Sequence, residues 1–333
     1  LGVAPTPVVA WSVAARGFDL GIAVSASHNP PEYNGIKPFA QGGRKLTEEE
    51  EARIEELMDA DDGPDPDDGV ACAAESVQEY VRATTGWLLE EGSLAGRRLV
   101  VDLAAGAASE TAPEVLRGLG ADVVLLHEAG TRDINDACGT QHPEAWVEAV
   151  RREGADAGLA FDGDADRVLV ADSGGSILDG DDALAILAED WKREGRLPGD
   201  VVVSTVMANL GIEAAMNAIG IDVVRTPVGD RYVHEEMKRL GAGLGGEQSG
   251  HVLLLDRPTG DGLLTGLRLL EVMAATEAPL RELRRLMVEY PQVLRNVHVR
   301  VKERLDDADA VWSAVERFEK RLGEDGRILV RAS

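Results

Sequence analysis

Short apolar segments alternate with amphipathic segments along most of the chain, and this alternation limits the possible folds. The apolar segments are apolar throughout rather than at every second position, which is typical of strands covered on both faces. Strands that alternate with helices predict an α/β fold with mostly parallel sheets. The predicted strands are 98–103, 122–127, 157–161, 167–171, 201–206, 222–225 and 251–255, and the predicted helices are 110–118, 143–152, 181–193, 211–219 and 232–240.

The 333 residues predict more than one domain, because a domain usually has about 100–200 residues. The boundaries follow breaks in the α/β pattern, which include the Asp- and Pro-rich segment 59–69, the DSGG turn at 172–175 and the Tyr-Pro pair that we expect to end a helical segment at 290–291. We therefore predict four regions, 1–79, 80–177, 178–290 and 291–333.

The charge of the chain limits its partners. Its 34 Lys and Arg residues face 60 Asp and Glu residues, which gives a formal net charge of −26. Such a chain repels nucleic acid and anionic membrane surfaces, so we expect neither as a partner. A phosphorylated ligand would need local basic residues, backbone N–H groups or a metal ion.

The two cysteines, Cys72 and Cys138, lie far apart in the sequence and form no CxxC motif. This usage fits a reducing compartment and supports neither a disulfide framework nor a zinc site. No secretory signal is visible, and we predict a cytoplasmic protein.

The segment SASHNP at 25–30 follows an apolar stretch and predicts a sharp loop that exposes a hydroxyl group. A Ser-His-Asp hydrolase is excluded, because Ser27 and His28 are neighbours whose side chains diverge, and no GxSxG motif occurs. Taken alone, the segment fits a capping turn rich in Ser and Asn better than a functional site.

The segment DGDADR at 162–167 places three carboxylates at alternate positions. Their oxygens can converge on Mg²⁺ when the loop curls, and without a cation the three like charges would repel one another. The segment does not fit a calcium-binding EF-hand, since Arg167 and Ser173 stand where it needs Gly and Glu. The alternative is a polar turn between two strands.

The segment GGEQSGH at 245–251 combines two glycines with Glu, Gln, Ser and His side chains. A carboxylate with nearby donors is suited to binding the hydroxyl groups of a sugar. The alternative is a Gly-rich turn in which His251 only begins the next strand.

Together and in this order, the three segments resemble those of the α-D-phosphohexomutase family. The second follows the first by about 135 residues, and the third follows about 85 residues later. We call them the serine loop (25–30), the metal loop (162–167) and the sugar loop (245–251). The resemblance implies successive α/β domains around a central active-site cleft and the beginning of a smaller C-terminal α+β domain.

The resemblance also implies roles for individual residues. Ser27 would carry the transferred phosphoryl group and, with Asp162, Asp164 and Asp166, bind Mg²⁺. Arg167 would stabilise phosphoryl charge, and His28 and Lys37 are candidates for the general acid or base. The implied substrate-binding residues are Glu247, Gln248, Ser249, His251, Arg231, Arg331 and Ser333.

The implied reaction passes through a bound 1,6-bisphosphate of a hexose. Gln248, the VGDRYV segment at 228–233 and the TGDG segment at 259–262 look like the phosphoglucosamine mutase branch, which interconverts glucosamine 6-phosphate and glucosamine 1-phosphate. The alternatives are a phosphomannomutase/phosphoglucomutase and a truncated sugar-phosphate-binding relative without activity.

The resemblance places Leu1 inside the first domain and residues 331–333 at the beginning of a phosphate-binding loop in the fourth. We therefore expect segments of the family pattern to be missing at both ends, and residues 1–333 alone to be a poor mutase.

Overall fold

The computed structural model describes residues 1–58, 75–88, 92–255, 257–301, 304–323 and 326–331. The strands are β1 Leu20–Ser25, β2 Gly35–Ala40, β3 Arg98–Asp102, β4 Asp122–Leu126, β5 Ala157–Phe161, β6 Val168–Asp172, β7 Ile177–Leu178, β8 Val201–Thr205, β9 Asp222–Thr226, β10 Leu244–Gly246 and β11 Val252–Leu254. The α-helices are α1 Thr6–Arg16, α2 Glu48–Met58, α3 Glu75–Leu88, α4 Ala112–Gly118, α5 Glu144–Glu153, α6 Gly180–Arg193, α7 Leu210–Ala218, α8 Asp230–Leu240, α9 Gly262–Thr276, α10 Leu280–Leu283 and α11 Asp309–Leu322.

The strands form three sheets. β1 and β2 pair antiparallel, the second sheet has the order β4-β3-β5-β6-β7, and the third has the order β11-β10-β8-β9. In the two larger sheets, β4-β3-β5 and β10-β8-β9 are parallel, and β6, β7 and β11 add antiparallel strands at one edge. The predicted α/β fold is confirmed, and its sheets are mixed.

The central strands are covered on both faces, as their composition predicts. Every residue of β5 and of β8 is buried. One apolar core joins the second and third sheets, because α9 packs against both β6 and α6. Gly266 also lets α9 approach β5 closely, since a Cβ at this position would lie 2.5 Å from Leu159 of β5.

Most sequence-based boundaries differ from the observed ones by one or two residues, and one prediction is wrong. The helical segment expected to end at 290–291 ends at Leu286, after α10 and a short 3₁₀ turn. Residues 287–299 have no regular structure and expose Val293, Leu294 and Val297. The predicted Asp-rich loop at 59–69 lies outside the described residues, and the four-region division stays a prediction.

Within the described ranges, the helices are either too short or too polar to cross a membrane.

A buried carboxylate lies in the first turn of α6. Asp179 caps this helix by accepting hydrogen bonds from the backbone N–H groups of Asp181 and Asp182. Asp181 is fully buried, and its carboxylate accepts the backbone N–H of Asn209 at 2.7 Å. Burial, together with the neighbouring Asp179 carboxylate, raises the pKa of Asp181 to about 7.

This pKa predicts a pH-dependent stability. Because an unfolded Asp titrates near 3.9, the folded chain holds an extra proton between about pH 4 and about pH 7, and stability falls as the pH rises through this window. The Asp181→Asn variant keeps an oxygen for the Asn209 N–H without the charge. We expect it to be about 1–3 kcal/mol more stable than the wild type at about pH 8 and little different at about pH 4.

Urea unfolding at the two pH values measures the difference. The exposed Asp19→Asn variant is the control and should show the same small effect at both. An Asp181→Asn effect that does not change with pH would contradict the prediction.

Candidate active site

Ser27 lies in the turn that follows β1. Its φ of 51° is left-handed, and its backbone N–H donates to Ser25 Oγ at 2.7 Å. The amide of Asn135 donates to the carbonyl oxygens of Ser27 at 2.7 Å and of Asn29 at 2.8 Å. Asn135 therefore anchors the serine loop to the segment between β4 and α5. The sequence analysis did not predict this role for Asn135.

The three aspartates of the metal loop follow β5 and converge. Asp162, Asp164 and Asp166 are at most 4% exposed, and one oxygen from each lies within 4.8 Å of the others. Ser27 Oγ donates to Asp162 Oδ2 at 3.4 Å, which brings the predicted serine to the same cluster. Thr6, which the sequence analysis missed, donates its hydroxyl to Asp164 at 2.6 Å.

This cluster fits a divalent cation. Its donors are carboxylate and hydroxyl oxygens, which hard cations prefer. Asp164 Oδ1 is buried and accepts no hydrogen bond, so it is free to bind a cation. Burial and the charges of Asp166 and Asp164 raise the pKa of Asp162 well above its ordinary value, as expected for adjacent anions.

Lys37 of β2 reaches into the same cluster. Its ammonium group donates to Asp164 at 2.6 Å and to Asp166 at 2.9 Å. Burial alone would lower the pKa of Lys37, but the charges of Asp166 and Asp164 outweigh it and raise the pKa above its ordinary value. Lys37 thus keeps its proton in this arrangement and balances the charge of the aspartates.

His28 and Arg167 flank the carboxylates. Burial, followed by the nearby Arg167 charge, lowers the pKa of His28, which favours the neutral imidazole. The Nε of Arg167 lies 3.9 Å from Asp162 and 3.8 Å from Asp166 and donates no hydrogen bond. A positive guanidinium and a neutral imidazole therefore lie beside Ser27 and the aspartates.

The sugar loop connects β10 to β11. Its residues Glu247, Gln248 and Ser249 are half-buried, and the Ser249 hydroxyl has no hydrogen-bond partner. Glu247 accepts the backbone N–H of Gly229 at 3.1 Å, and Gln248 donates to Gln292 at 3.2 Å. These side chains leave hydrogen-bonding groups available to a polar ligand.

His251, one of the predicted substrate-binding residues, is buried between two carboxylates. It is 2% exposed, with Nδ1 3.5 Å from Asp166 and Nε2 3.2 Å from Asp230. Burial lowers the pKa of His251, but the two carboxylates raise it more strongly, to about 9. Asp230 also pairs with Lys45, so His251 connects the metal loop to the beginning of α8. Its role in substrate binding stays a prediction.

The remaining predicted residues lie apart from this cluster. Arg231 pairs with Glu51 at 2.5 Å and lies 3.8 Å from Glu48, so it binds α2 rather than a neighbour in the three loops. Arg331 is exposed near the end of the described chain, and Ser333 lies outside the described residues.

Backbone contacts hold the three loops together. The N–H of Gly163 donates to the Ser27 oxygen at 3.1 Å, and the N–H of Val168 donates to the Gly250 oxygen at 3.2 Å. At Gly163 a Cβ would lie 2.7 Å from the Ser27 oxygen and 2.6 Å from Ile134, so glycine is required for this approach.

We expect Gly163→Ala to weaken divalent-cation binding by about tenfold or more, because it separates Ser27 from the aspartates. Titration with Mn²⁺ followed by electron paramagnetic resonance measures the affinity. Gly118→Ala is the control, since a Cβ there meets no atom within 4 Å. Equal affinity in the two variants would contradict the prediction.

Comparisons with known proteins match this architecture. Three models of the phosphoglucomutase/phosphomannomutase family match the chain: alpha/beta/alpha domain I at residues 1–64, domain II at 57–175 and domain III at 179–290. A putative phosphomannomutase structure from Thermus thermophilus superimposes with a TM-score of 0.73 at 28% identity, covering 85% of this chain and 65% of the other.

Curated relatives match over the whole chain. The phosphoglucosamine mutase of Symbiobacterium thermophilum is 47% identical over 338 residues, and that of Parafrankia sp. is 48% identical over 343 residues. The chain spans about three quarters of each relative, 76% and 73%. The chain therefore belongs to the phosphoglucomutase/phosphomannomutase family, the α-D-phosphohexomutases, and within this family of isomerases it is similar along its full length to phosphoglucosamine mutases.

Proposed function

We propose that the protein interconverts glucosamine 6-phosphate and glucosamine 1-phosphate by moving a phosphoryl group to and from Ser27. The observation that carries the proposal is the position of Ser27 Oγ, 3.4 Å from Asp162 in a cluster of three buried aspartates. Phosphoryl transfer depends mainly on positioning and charge stabilisation, and this cluster is suited to supply both.

The cation we propose for the aspartates is Mg²⁺. All the donors of this set are oxygens, which suit Mg²⁺ better than thiophilic metals. When bound, Mg²⁺ would offset the negative charge of the transition state and make the serine oxygen a better leaving group.

Residues of the chain would perform the remaining tasks. The phosphorus–oxygen bond to Ser27 breaks as a hydroxyl oxygen of the sugar phosphate forms the new bond. His28, whose lowered pKa favours the neutral imidazole, would accept the hydroxyl proton, and Arg167 would bind the transferred group. The resulting 1,6-bisphosphate turns over in the site, and its other phosphate returns to Ser27.

The sugar loop would bind the ring that carries the phosphate. Glu247 can accept hydrogen bonds from hydroxyl groups, and the unpaired Ser249 hydroxyl can donate one. Similarity to proteins named phosphoglucosamine mutases supports an amino sugar as substrate. Cytoplasmic location and the lack of nucleic-acid or membrane partners stay predictions.

Ser27→Ala should abolish phosphorylation of the protein while leaving the fold intact, because a half-buried hydroxyl contributes little to packing. The measurement is intact mass and peptide mapping after incubation with glucose 1,6-bisphosphate and Mg²⁺. The wild type should carry one phosphate on Ser27, and the Ser25→Ala control should carry it on the same residue. Phosphate on another residue, or none in the wild type, would overturn the proposal.

The sugar preference can be tested separately. We expect kcat/KM for glucosamine 6-phosphate to exceed that for glucose or mannose 6-phosphate by about tenfold or more, because losing one matched hydrogen bond leaves a buried partner unpaired. Gln248→Met should reduce this ratio, whereas Gln141→Met, outside the sugar loop, should not. A preference for mannose 6-phosphate would assign the protein to the phosphomannomutase/phosphoglucomutase branch and leave the Ser27 chemistry unaffected.

A further inference from the structure

A second group of metal-binding side chains lies outside the metal loop. Asp102 ends β3, His127 follows β4, and Cys138 lies on the segment between β4 and α5. One ligand atom from each lies within 4.8 Å of the other two. Parallel strands β3 and β4 end at the same sheet edge, which brings together Asp102 and His127, 25 positions apart along the chain.

Hydrogen bonds or burial restrain each of the three side chains. Asp102 is fully buried, accepting the Ala104 N–H at 2.9 Å through Oδ1 and facing His127 Nδ1 at 2.9 Å through Oδ2. Cys138 is a free cysteine that is 1% exposed. The side chain of His127 is 16% exposed, which gives the cluster a route to solvent.

The donor set differs in kind from that of the metal loop. It combines a carboxylate oxygen, an imidazole nitrogen and a sulfur, a combination that favours Zn²⁺ over Mg²⁺. The sequence alone shows no sign of a zinc site, because it contains no CxxC motif. The three ligands are single residues from separate segments, and only the fold brings them together.

We propose that Asp102, His127 and Cys138 form a second metal site, selective for a thiophilic divalent cation such as Zn²⁺, with a fourth position open to water. Binding releases the Cys138 thiol proton to solvent, while His127 binds as the neutral imidazole and Asp102 as the carboxylate. Arg132, an exposed side chain that donates to the Asp136 oxygen, also hydrogen-bonds to Cys138 and would have to turn away when the cation binds.

The site lies next to the serine loop. Asn135, which binds the Ser27 and Asn29 oxygens, stands between His127 and Cys138 in the chain, and its N–H donates to the Ala104 oxygen at 2.9 Å. A cation on the three ligands would fasten this segment at both ends and thereby stabilise the support of Ser27.

Cobalt substitution tests the proposal on the purified protein. With Mg²⁺ in excess to fill the metal loop, Co²⁺ should bind at one equivalent and give the absorption band of thiolate-to-cobalt charge transfer. Zn²⁺ should displace it. The band should vanish in Cys138→Ser, and Co²⁺ affinity should fall by about tenfold or more in His127→Ala.

Cys72→Ser is the control for the other cysteine and should keep both the band and the affinity. Circular dichroism of each variant without metal verifies that it is folded. Absence of the band in the wild type, or a band that survives in Cys138→Ser and vanishes in Cys72→Ser, would overturn the proposal. Both results are independent of whether Ser27 is phosphorylated.

Discussion

Three buried carboxylates that repel one another lie at the centre of the candidate active site. Asp162, Asp164 and Asp166 are held together by the curled loop after β5, where water cannot screen their charges. Even before a metal ion binds, positive groups from other parts of the chain offset this repulsion: Lys37 from β2, Arg167 from the same loop, and His251 from the edge of β11. These groups come from elements of all three sheets, which meet at this cluster.

The packing of glycine backbones serves the same requirement. At Gly180 a Cβ would lie 1.9 Å from the Glu247 oxygen, and at Gly262 it would lie 2.3 Å from the Arg167 oxygen. The first residues of α6 and α9 can therefore approach the sugar loop and the metal loop directly. Since each loop touches a helix that is anchored in the common core, the loops have little freedom to move apart.

The sequence predicts the α/β fold and the three loops, because apolar strands and dense polar motifs leave local patterns. It does not predict the partners of those loops. Thr6, Asn135 and Asp230 each bind a loop residue through a long-range contact, and a single Thr, Asn or Asp has no local signature. The same limit explains His251: its motif marks it as a site residue, but only the fold places it between two carboxylates. The helical segment expected to end at 290–291 stops earlier, at Leu286. The apolar residues that follow, such as Val288 and Val293, are exposed and do not pack against the described part of the chain as a helix would.

The hydrogen bonds that assemble the site join residues far apart in the chain. Thr6 and Asp164 are separated by 158 positions, and Lys45 and Asp230 by 185. Contacts of such separation form late, because closing long loops costs entropy before the contacts reward it. During synthesis on the ribosome, the serine and metal loops also emerge before His251, which follows them in the chain. Until His251 is made, the aspartates lack one of the positive groups that offset their charge. A chain interrupted before β11 would carry Ser27 and the carboxylates without the histidine that connects the metal loop to α8.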